Sequence, residues 1–187
     1  MFDMSPAGLA ILIKKDHNKN VVLETGIITD SVFCDDVIGK WGGSLHPIDE
    51  SIAADPEKLR AAKHIHLPDP EGMKKRLGER SLPNFVGAVQ KAVEKSAVSR
   101  PIDFIGITHI NPKAHLAILE ALSLEVDQSF YLKDNGHCGH VDQFLALDYG
   151  IKNGSVTDGS LVALLGAGTG YAFGCTLVKW GEHHENS

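Results

Sequence analysis

The feature that most constrains this sequence is a buried strand that leads directly into a capped helix in its second half. Ile102 to Thr108 is a nearly continuous apolar run that ends at His109, as expected of a strand buried on both faces of a sheet. Asn111 and Pro112 then supply an N-cap and a first-turn proline for a helix over residues 113–122. Strands that alternate with helices pair in parallel, so the sequence predicts an α/β fold.

A second strand-to-helix turn follows. Residues 128–133 are predicted as a strand, and a turn that ends in Gly136 and His137 leads to a helix that runs to Gly150. Because sites in such sheets lie beyond the carboxyl ends of the strands, His109 and His137 are expected to point into one crevice. Two neutral imidazoles can donate hydrogen bonds to an enolate or thioester oxyanion. The alternative is that both histidines are structural.

The amino terminus of the following helix is expected to keep the His137 ring neutral, because the positive end of a helix dipole disfavours an imidazolium.

The glycine-rich segment near the carboxyl end is predicted to be a hairpin. Residues 160–165 form an apolar strand, Gly166 to Gly170 form a tight turn, and residues 171–180 have β-strand composition. A dinucleotide-binding loop would instead open a helix, so this context argues against such a site.

The first 96 residues are less regular. Residues 7–13 and 20–28 are predicted to be two strands of a hairpin, and residues 34–70 an irregular connector with a helix near 56–64. Residues 82–96 are predicted to be helical.

Composition narrows the class of protein. A net charge of -6 with scattered Lys and Arg offers no basic surface for nucleic acid, which we do not expect as a partner. The early apolar run is followed, not preceded, by charge, so we expect neither a signal peptide nor a membrane span. Three cysteines at irregular spacing indicate no disulfide framework and favour a cytoplasmic location.

Two other chemistries are compatible with these residues. Cys138 stands at a predicted helix start beside histidines, where a thiol could act as a nucleophile, or it could be a small turn residue. His137 and His140 with Asp142, or His109 with His115, could hold a metal ion, but nothing completes a coordination sphere and no metal is expected.

These motifs together resemble a known family. The strand-ending His109, the turn from Gly136 to His140, the segment from Asp158 to Val162 and the glycine turn that leads to Trp180 are similar to the carboxy-terminal half of beta-ketoacyl-acyl-carrier-protein synthase III. Met1 to Asp3, together with Ala7 to Leu12, resemble the small-residue strand near the end of that family's amino-terminal half. The resemblance implies a thiolase-like layered α/β fold, with a mixed sheet and covering helices, that is incomplete here.

The resemblance also implies a site. His109 corresponds to the family's catalytic histidine, and His137 stands where the family has an asparagine. Gly168, Thr169 and Gly170 correspond to the segment whose backbone helps to form the oxyanion hole.

The reaction implied is a decarboxylative Claisen condensation in lipid metabolism, namely fatty acid biosynthesis. The reaction requires no metal or redox cofactor, and its substrates are thioesters of coenzyme A or acyl carrier protein. The pantetheine arm of these substrates is expected near Asn111. We also expect an oligomer.

The family's nucleophilic cysteine lies before the strand with which this sequence begins, and no cysteine here takes its place. We therefore expect a chain that is inactive alone and is completed by a cysteine-bearing partner half. The alternatives are a noncatalytic partner subunit and an inactive fragment, with a metallohydrolase as a third. The predicted divisions are residues 1–45 (terminal strands of the first half), 46–80 (connector) and 81–187 (carboxy-terminal half).

Overall fold

The computed structural model describes residues 4–62 and 64–182. The chain forms two compact units, one from the described parts of residues 1–28, 81–167 and 173–187, and the other from residues 29–80 and 168–172. The three divisions predicted from the sequence stay a prediction.

The helices and strands follow one another along the chain. In order they are β1 (Lys19–Thr29), β2 (Ile38–Gly39), α1 (Glu50–Ala53), α2 (Pro56–Ala61), β3 (Ile65–His66), α3 (Pro70–Ser96), β4 (Phe104–Ile107), α4 (Pro112–Ala121), α5 (Asp142–Lys152), β5 (Leu161–Gly168) and β6 (Ala172–Glu182). Short 3-10 helices span Ser31–Phe33, Val126–Gln128 and Gly139–Val141.

The first unit is built on a four-stranded sheet in the order β1-β6-β5-β4. β4 runs parallel to β5, with Phe104 opposite Val162 and Ile107 opposite Leu165. β5 and β6 are neighbours joined by a short turn, so they are antiparallel. The sheet is therefore mixed, which confirms the predicted α/β class, and the strand after the glycine turn confirms that no helix follows it.

Helices cover both faces of this sheet. Phe173 of β6 packs edge-on against Phe85 of α3 with ring centroids 4.9 Å apart. Val178, on the opposite face of β6, belongs to a buried cluster with Phe104 of β4 and Leu147 of α5. α3 and α5 thus lie on opposite faces of the sheet, and the core of the first unit lies between them and the strands.

The second unit is small. β2 and β3 form an antiparallel pair, and α1 and α2 follow N-caps made by Asp49 and Asp55. α2 confirms the helix predicted near residues 56–64. The predicted helix over residues 82–96 also exists, but α3 begins much earlier, at Pro70.

Two predicted strands are wrong. Residues 7–13 have no strand partner among the described residues and stay irregular, with Leu12 95% and Ile13 80% exposed. Residues 128–133 contribute only a bridge between Ser129 and Ile105. The Gln128 side chain donates to the carbonyls of Ile102 and Asp103 just before β4, and the Ser129 hydroxyl donates to the Ile105 carbonyl. Side-chain hydrogen bonds there replace a backbone ladder.

None of the helices in the described ranges is both long enough and apolar enough to cross a membrane.

Close packing of α5 on β4 depends on a glycine. A Cβ at Gly106 would lie 2.6 Å from the Gln143 carbonyl oxygen of α5, whereas a Cβ at Gly174 of β6 would meet nothing within 4 Å. We expect Gly106→Ala to lower the free energy of unfolding by about 2 kcal/mol, because helix and strand must separate. Gly174→Ala, the matched control, should change it by less than about 1 kcal/mol. Urea denaturation measures both, and equal stabilities would contradict this packing.

A buried histidine gives the fold a pH dependence. His115 of α4 is 4% exposed, and its Nε2 lies 3.2 Å from Ser129 Oγ, which itself donates to the Ile105 carbonyl. Burial, and secondarily the neighbouring His109, lower the pKa of His115 from 6.5 to about 4. Between these two pH values, His115 is therefore mostly neutral in the folded state and mostly protonated in the unfolded state.

The stability that neutral His115 provides is fully present above pH 6.5 and is lost as the pH falls toward about 4. The loss expected from a shift of this size is on the order of 3 kcal/mol. His115→Gln keeps a donor for Ser129 but cannot take up a proton, so its free energy of unfolding should fall less over the same range. Urea denaturation at several pH values tests this, and identical pH slopes for the two proteins would contradict it.

Candidate functional site

The first functional segment is the carboxyl end of β4. β4 is fully buried, and its hydrogen bonding to β5 continues one residue further, because the Thr108 amide donates to the Leu165 carbonyl at 2.9 Å. His109 follows at the edge of the sheet. The Asn111 side chain then accepts from the Ala114 amide at 2.9 Å and caps α4, so this oxygen is already engaged. A role for Asn111 in substrate binding stays a prediction.

The second segment is the turn before α5. Gly136 adopts a φ of 70°, a left-handed conformation that favours glycine, and His137 follows directly. The His137 carbonyl accepts a hydrogen bond from the Ser5 amide at 2.9 Å. Met4 and His137 form an isolated parallel β-bridge. A 3-10 turn, Gly139–Val141, lies between His137 and α5. That the helix terminus keeps the His137 ring neutral stays a prediction.

A buried carboxylate joins the two segments. Asp142, the first residue of α5, has no exposed surface. Its Oδ2 accepts from the His109 amide at 2.7 Å and from the Thr108 hydroxyl at 3.2 Å. Oδ2 also lies 2.6 Å from His137 Nδ1, and Oδ1 accepts from the Cys138 amide at 2.7 Å. The end of β4 and the turn before α5 are therefore fixed to the same side chain.

This contact determines what His137 can do. A carboxylate only accepts hydrogen bonds, so the ring proton lies on Nδ1, and Nε2 carries a lone pair in the neutral ring. His137 then donates from Nε2 only as an imidazolium. This pairing differs from the neutral donor that the sequence predicts, in which Asp142 is a candidate metal ligand only.

The His109 ring lies in an aromatic setting. It stacks on Tyr131, with ring centroids 5.1 Å apart, and the Tyr131 hydroxyl donates to the Ile110 carbonyl at 3.0 Å. His115 meets the same tyrosine edge-on at 5.2 Å. His109 Nδ1 is buried without a hydrogen-bond partner, which leaves Nε2 as the ring nitrogen that can meet a ligand.

The three cysteines are free. Burial, together with the Asp142 carboxylate, raises the pKa of Cys138, whose Sγ lies 3.9 Å from the Asn135 and Gly136 carbonyls. Burial raises the pKa of Cys175 to about 12. Cys34 is exposed in the second unit. The surroundings of Cys138 thus disfavour the deprotonated thiol, which is the form that a nucleophilic cysteine requires.

Neither a metal cluster nor a complete oxyanion loop is established by the geometry. Within residues 4–62 and 64–182, no group of three or more His, Cys, Asp or Glu side chains is arranged to hold a metal ion. Gly168, Thr169 and Gly170 belong to the second unit, and Gly170 has a φ of 131° that favours glycine. Their part in an oxyanion hole stays a prediction.

Part of the chain matches a known protein family. Residues 94–180 match the family model described as 3-oxoacyl-[acyl-carrier-protein (ACP)] synthase III C terminal. Beta-ketoacyl-[acyl-carrier-protein] synthase III of Microcystis aeruginosa is 25% identical over 151 residues, which cover 77% of this chain and 44% of that protein.

Solved structures agree on the fold. A 3-oxoacyl-(acyl carrier protein) synthase III from Pseudomonas aeruginosa, 14% identical, has a TM-score of 0.64 over 87% of this chain and 45% of its own. The beta-ketoacyl synthase III from Thermus thermophilus, 14% identical, has a TM-score of 0.68 over 92% of this chain and 49% of its own. The chain therefore spans about half the length of these relatives. Residues 94–180 are therefore similar to the carboxy-terminal domain of the 3-oxoacyl-[acyl-carrier-protein] synthase III family, and the chain has a thiolase-like fold.

Proposed function

We propose that this chain is the histidine-bearing part of an acyltransferase that catalyses decarboxylative Claisen condensation of acyl thioesters. The observation that carries the proposal is the joint fixation of His109 and His137 by buried Asp142 at the carboxyl end of β4. Two histidines held at such an edge can meet one small reacting group.

In this reaction an acyl group is held as a thioester on a cysteine supplied from outside the chain. A malonyl-type thioester of coenzyme A or acyl carrier protein loses carbon dioxide, and the resulting carbanion is stabilised as an enolate. Hydrogen bonds from His109 Nε2 and from protonated His137 would stabilise its oxygen. The carbanion attacks the acyl carbonyl, a carbon–carbon bond forms, and the cysteine leaves as a thiolate.

The exposed segment of residues 9–13, which we call the apolar segment, supports a partner half. Leu9, Ile11, Leu12 and Ile13 are between 48% and 95% exposed although all are apolar. Such residues are normally buried, and contiguous exposed apolar surface marks interaction sites. The relatives are about twice as long as this chain. We infer that a polypeptide with the remaining, cysteine-bearing half of the fold covers the apolar segment.

One observation favours a second function, that of a noncatalytic partner subunit. The hydrogen bonds of Asp142 join the end of β4 to the turn before α5, and these contacts give His137 a structural role that needs no reaction. The chain would then stabilise a complete condensing enzyme, and its histidines would serve packing alone. We also propose a cytoplasmic location, since all three cysteines are free.

The catalytic proposal predicts the effect of removing a histidine. The chain is coexpressed with a cysteine-bearing polypeptide from the same genome, and condensation of acetyl-CoA with malonyl-acyl-carrier-protein is measured. His109→Ala should lower the rate at least about 100-fold, because a transition-state donor is lost. His140→Ala, at an exposed histidine of the same turn, should leave it unchanged.

The purified chain alone should give no product. Condensation by the isolated chain that persists when all three cysteines are changed to alanine would sink the proposal. Unchanged activity of a His109→Ala, His137→Ala double variant in the complex would favour the noncatalytic subunit.

The apolar segment predicts a matched pair of surface variants. Leu12 and Leu45 are 95% and 88% exposed, but only Leu12 lies in the apolar segment. Leu12→Lys should weaken binding of the cysteine-bearing polypeptide at least about 10-fold, because a charge must be desolvated at the interface. Leu45→Lys should not change it. Isothermal titration calorimetry measures both, and equal affinities would contradict the assignment of this surface.

A further inference from the structure

We propose that Asp142 positions His137 as a proton acceptor, so that the site also transfers its acyl group to a hydroxyl-bearing acceptor. This activity rests on the proposed function, because that function supplies the acyl thioester. It goes beyond that function in naming a second class of acceptor, an alcohol, and a positioning residue, Asp142.

The first step is that Asp142 is a carboxylate. Its four partners are two backbone amides, the Thr108 hydroxyl and the His137 ring. The amides can only donate, and together the four partners match the acceptor capacity of an ionised carboxyl group. A buried carboxylate is tolerated when its oxygens are satisfied in this way. Both carboxylate oxygens of Asp142 therefore accept hydrogen bonds, and neither has to be protonated.

The second step concerns the His137 ring. Because Asp142 accepts the proton on Nδ1, the neutral ring presents a lone pair on Nε2. Uptake of a proton at Nε2 gives an imidazolium paired with a carboxylate 2.6 Å away. The carboxylate is held by the His109 and Cys138 amides and need not move. A base supported by a fixed carboxylate is the arrangement that activates hydroxyl nucleophiles in enzymes.

The third step asks which acceptor needs such a base. Decarboxylation generates the carbanion of a condensation without proton abstraction, so that reaction does not require a lone pair on Nε2. A thiol ionises readily, and an amine attacks through its own lone pair. A hydroxyl is a weak nucleophile until a base takes its proton. A proton acceptor at this edge therefore fits an alcohol best.

The transfer step balances as follows. The hydroxyl oxygen attacks the thioester carbonyl carbon, a carbon–oxygen bond forms, and the hydroxyl proton moves to His137 Nε2. The tetrahedral intermediate collapses with cleavage of the carbon–sulfur bond. The imidazolium returns its proton to the departing thiolate, and the products are an ester and a thiol. Water in place of the alcohol would give a carboxylic acid.

The tautomer is tested on the full chain without any substrate. The histidine rings are labelled with ¹⁵N, and long-range proton–nitrogen correlations identify which ring nitrogen is protonated. We expect neutral His137 to carry its proton on Nδ1, and Asp142→Asn to change this pattern. Asp148→Asn is the matched control, since Asp148 is an exposed aspartate of α5 paired with Lys152. A proton on Nε2 of neutral wild-type His137 overturns the inference even if Asp142→Asn does not fold.

The transfer is tested on the complex of the chain with its cysteine-bearing polypeptide. Acetyl-CoA is the donor and glycerol the acceptor, and condensation with malonyl-acyl-carrier-protein is followed in the same preparation. We expect acetylglycerol, with a kcat per acylated cysteine at least about 100-fold lower in His137→Gln and in Asp142→Asn, and with acyl loading and kcat unchanged in the control Asp148→Asn.

The outcomes separate the two proposals. Condensation without any ester overturns the hydroxyl acceptor and leaves the proposed function standing. Free acetate with no acetylglycerol means that His137 activates water and not an alcohol, and this result likewise overturns the proposed acceptor class. Failure to load the cysteine, with no product of any kind, overturns the proposed function and the transfer together, while the nitrogen spectrum still decides the role of Asp142.

Discussion

The site depends on one buried carboxylate. Asp142 accepts hydrogen bonds from the end of β4 and from the turn before α5, two segments separated by more than twenty residues of chain. Removal of one partner from such a group leaves an uncompensated buried charge or unpaired donors, which typically costs about 3–5 kcal/mol. The placement of both histidines is therefore tied to the stability of the domain.

Close packing brings that carboxylate to the sheet. Gly106 of β4 and Gly166 of β5 lie against Gln143, the residue after Asp142, and a Cβ at either position would come within 2.6 Å of it. A larger residue at Gly106 would meet the α5 backbone, push the helix outward and move Asp142 away from the His109 amide, whereas one at Gly166 would displace the Gln143 side chain. These glycines thus affect the site indirectly, because they allow α5 to pack close enough to the sheet for Asp142 to reach the His109 amide.

The electrostatics of the turn favour a histidine pair over a thiol. The carboxylate that holds the His137 proton on Nδ1 also raises the pKa of Cys138. His115, buried beside the Tyr131 ring, has a pKa lowered to about 4 and stays neutral near pH 7. Of the two site histidines, His137 is paired with a carboxylate and His109 is stacked on Tyr131. The two rings therefore differ in their capacity for proton transfer.

Local sequence signals predicted the parts of the fold that local physics determines. The apolar run before His109, the cap at Asn111 and the glycine hairpin all have the conformations that their composition favours. Residues 7–13 have strand composition but no strand, because pairing requires a partner that composition cannot supply. Asp142 was not recognised as the link between segments, because its contacts with residues 108 and 109 arise only from tertiary packing. The available signal was an aspartate five residues after His137, at the start of a helix.

Hydrogen exchange of two backbone amides tests most directly whether Asp142 joins the two segments. The His109 and Cys138 amides lie on different segments and share only this carboxylate. Both should exchange slowly in the wild-type chain, and both should lose protection together in Asp142→Ala. Exchange of either wild-type amide at the rate of an open loop, or loss of protection at Cys138 alone in the variant, would contradict the account.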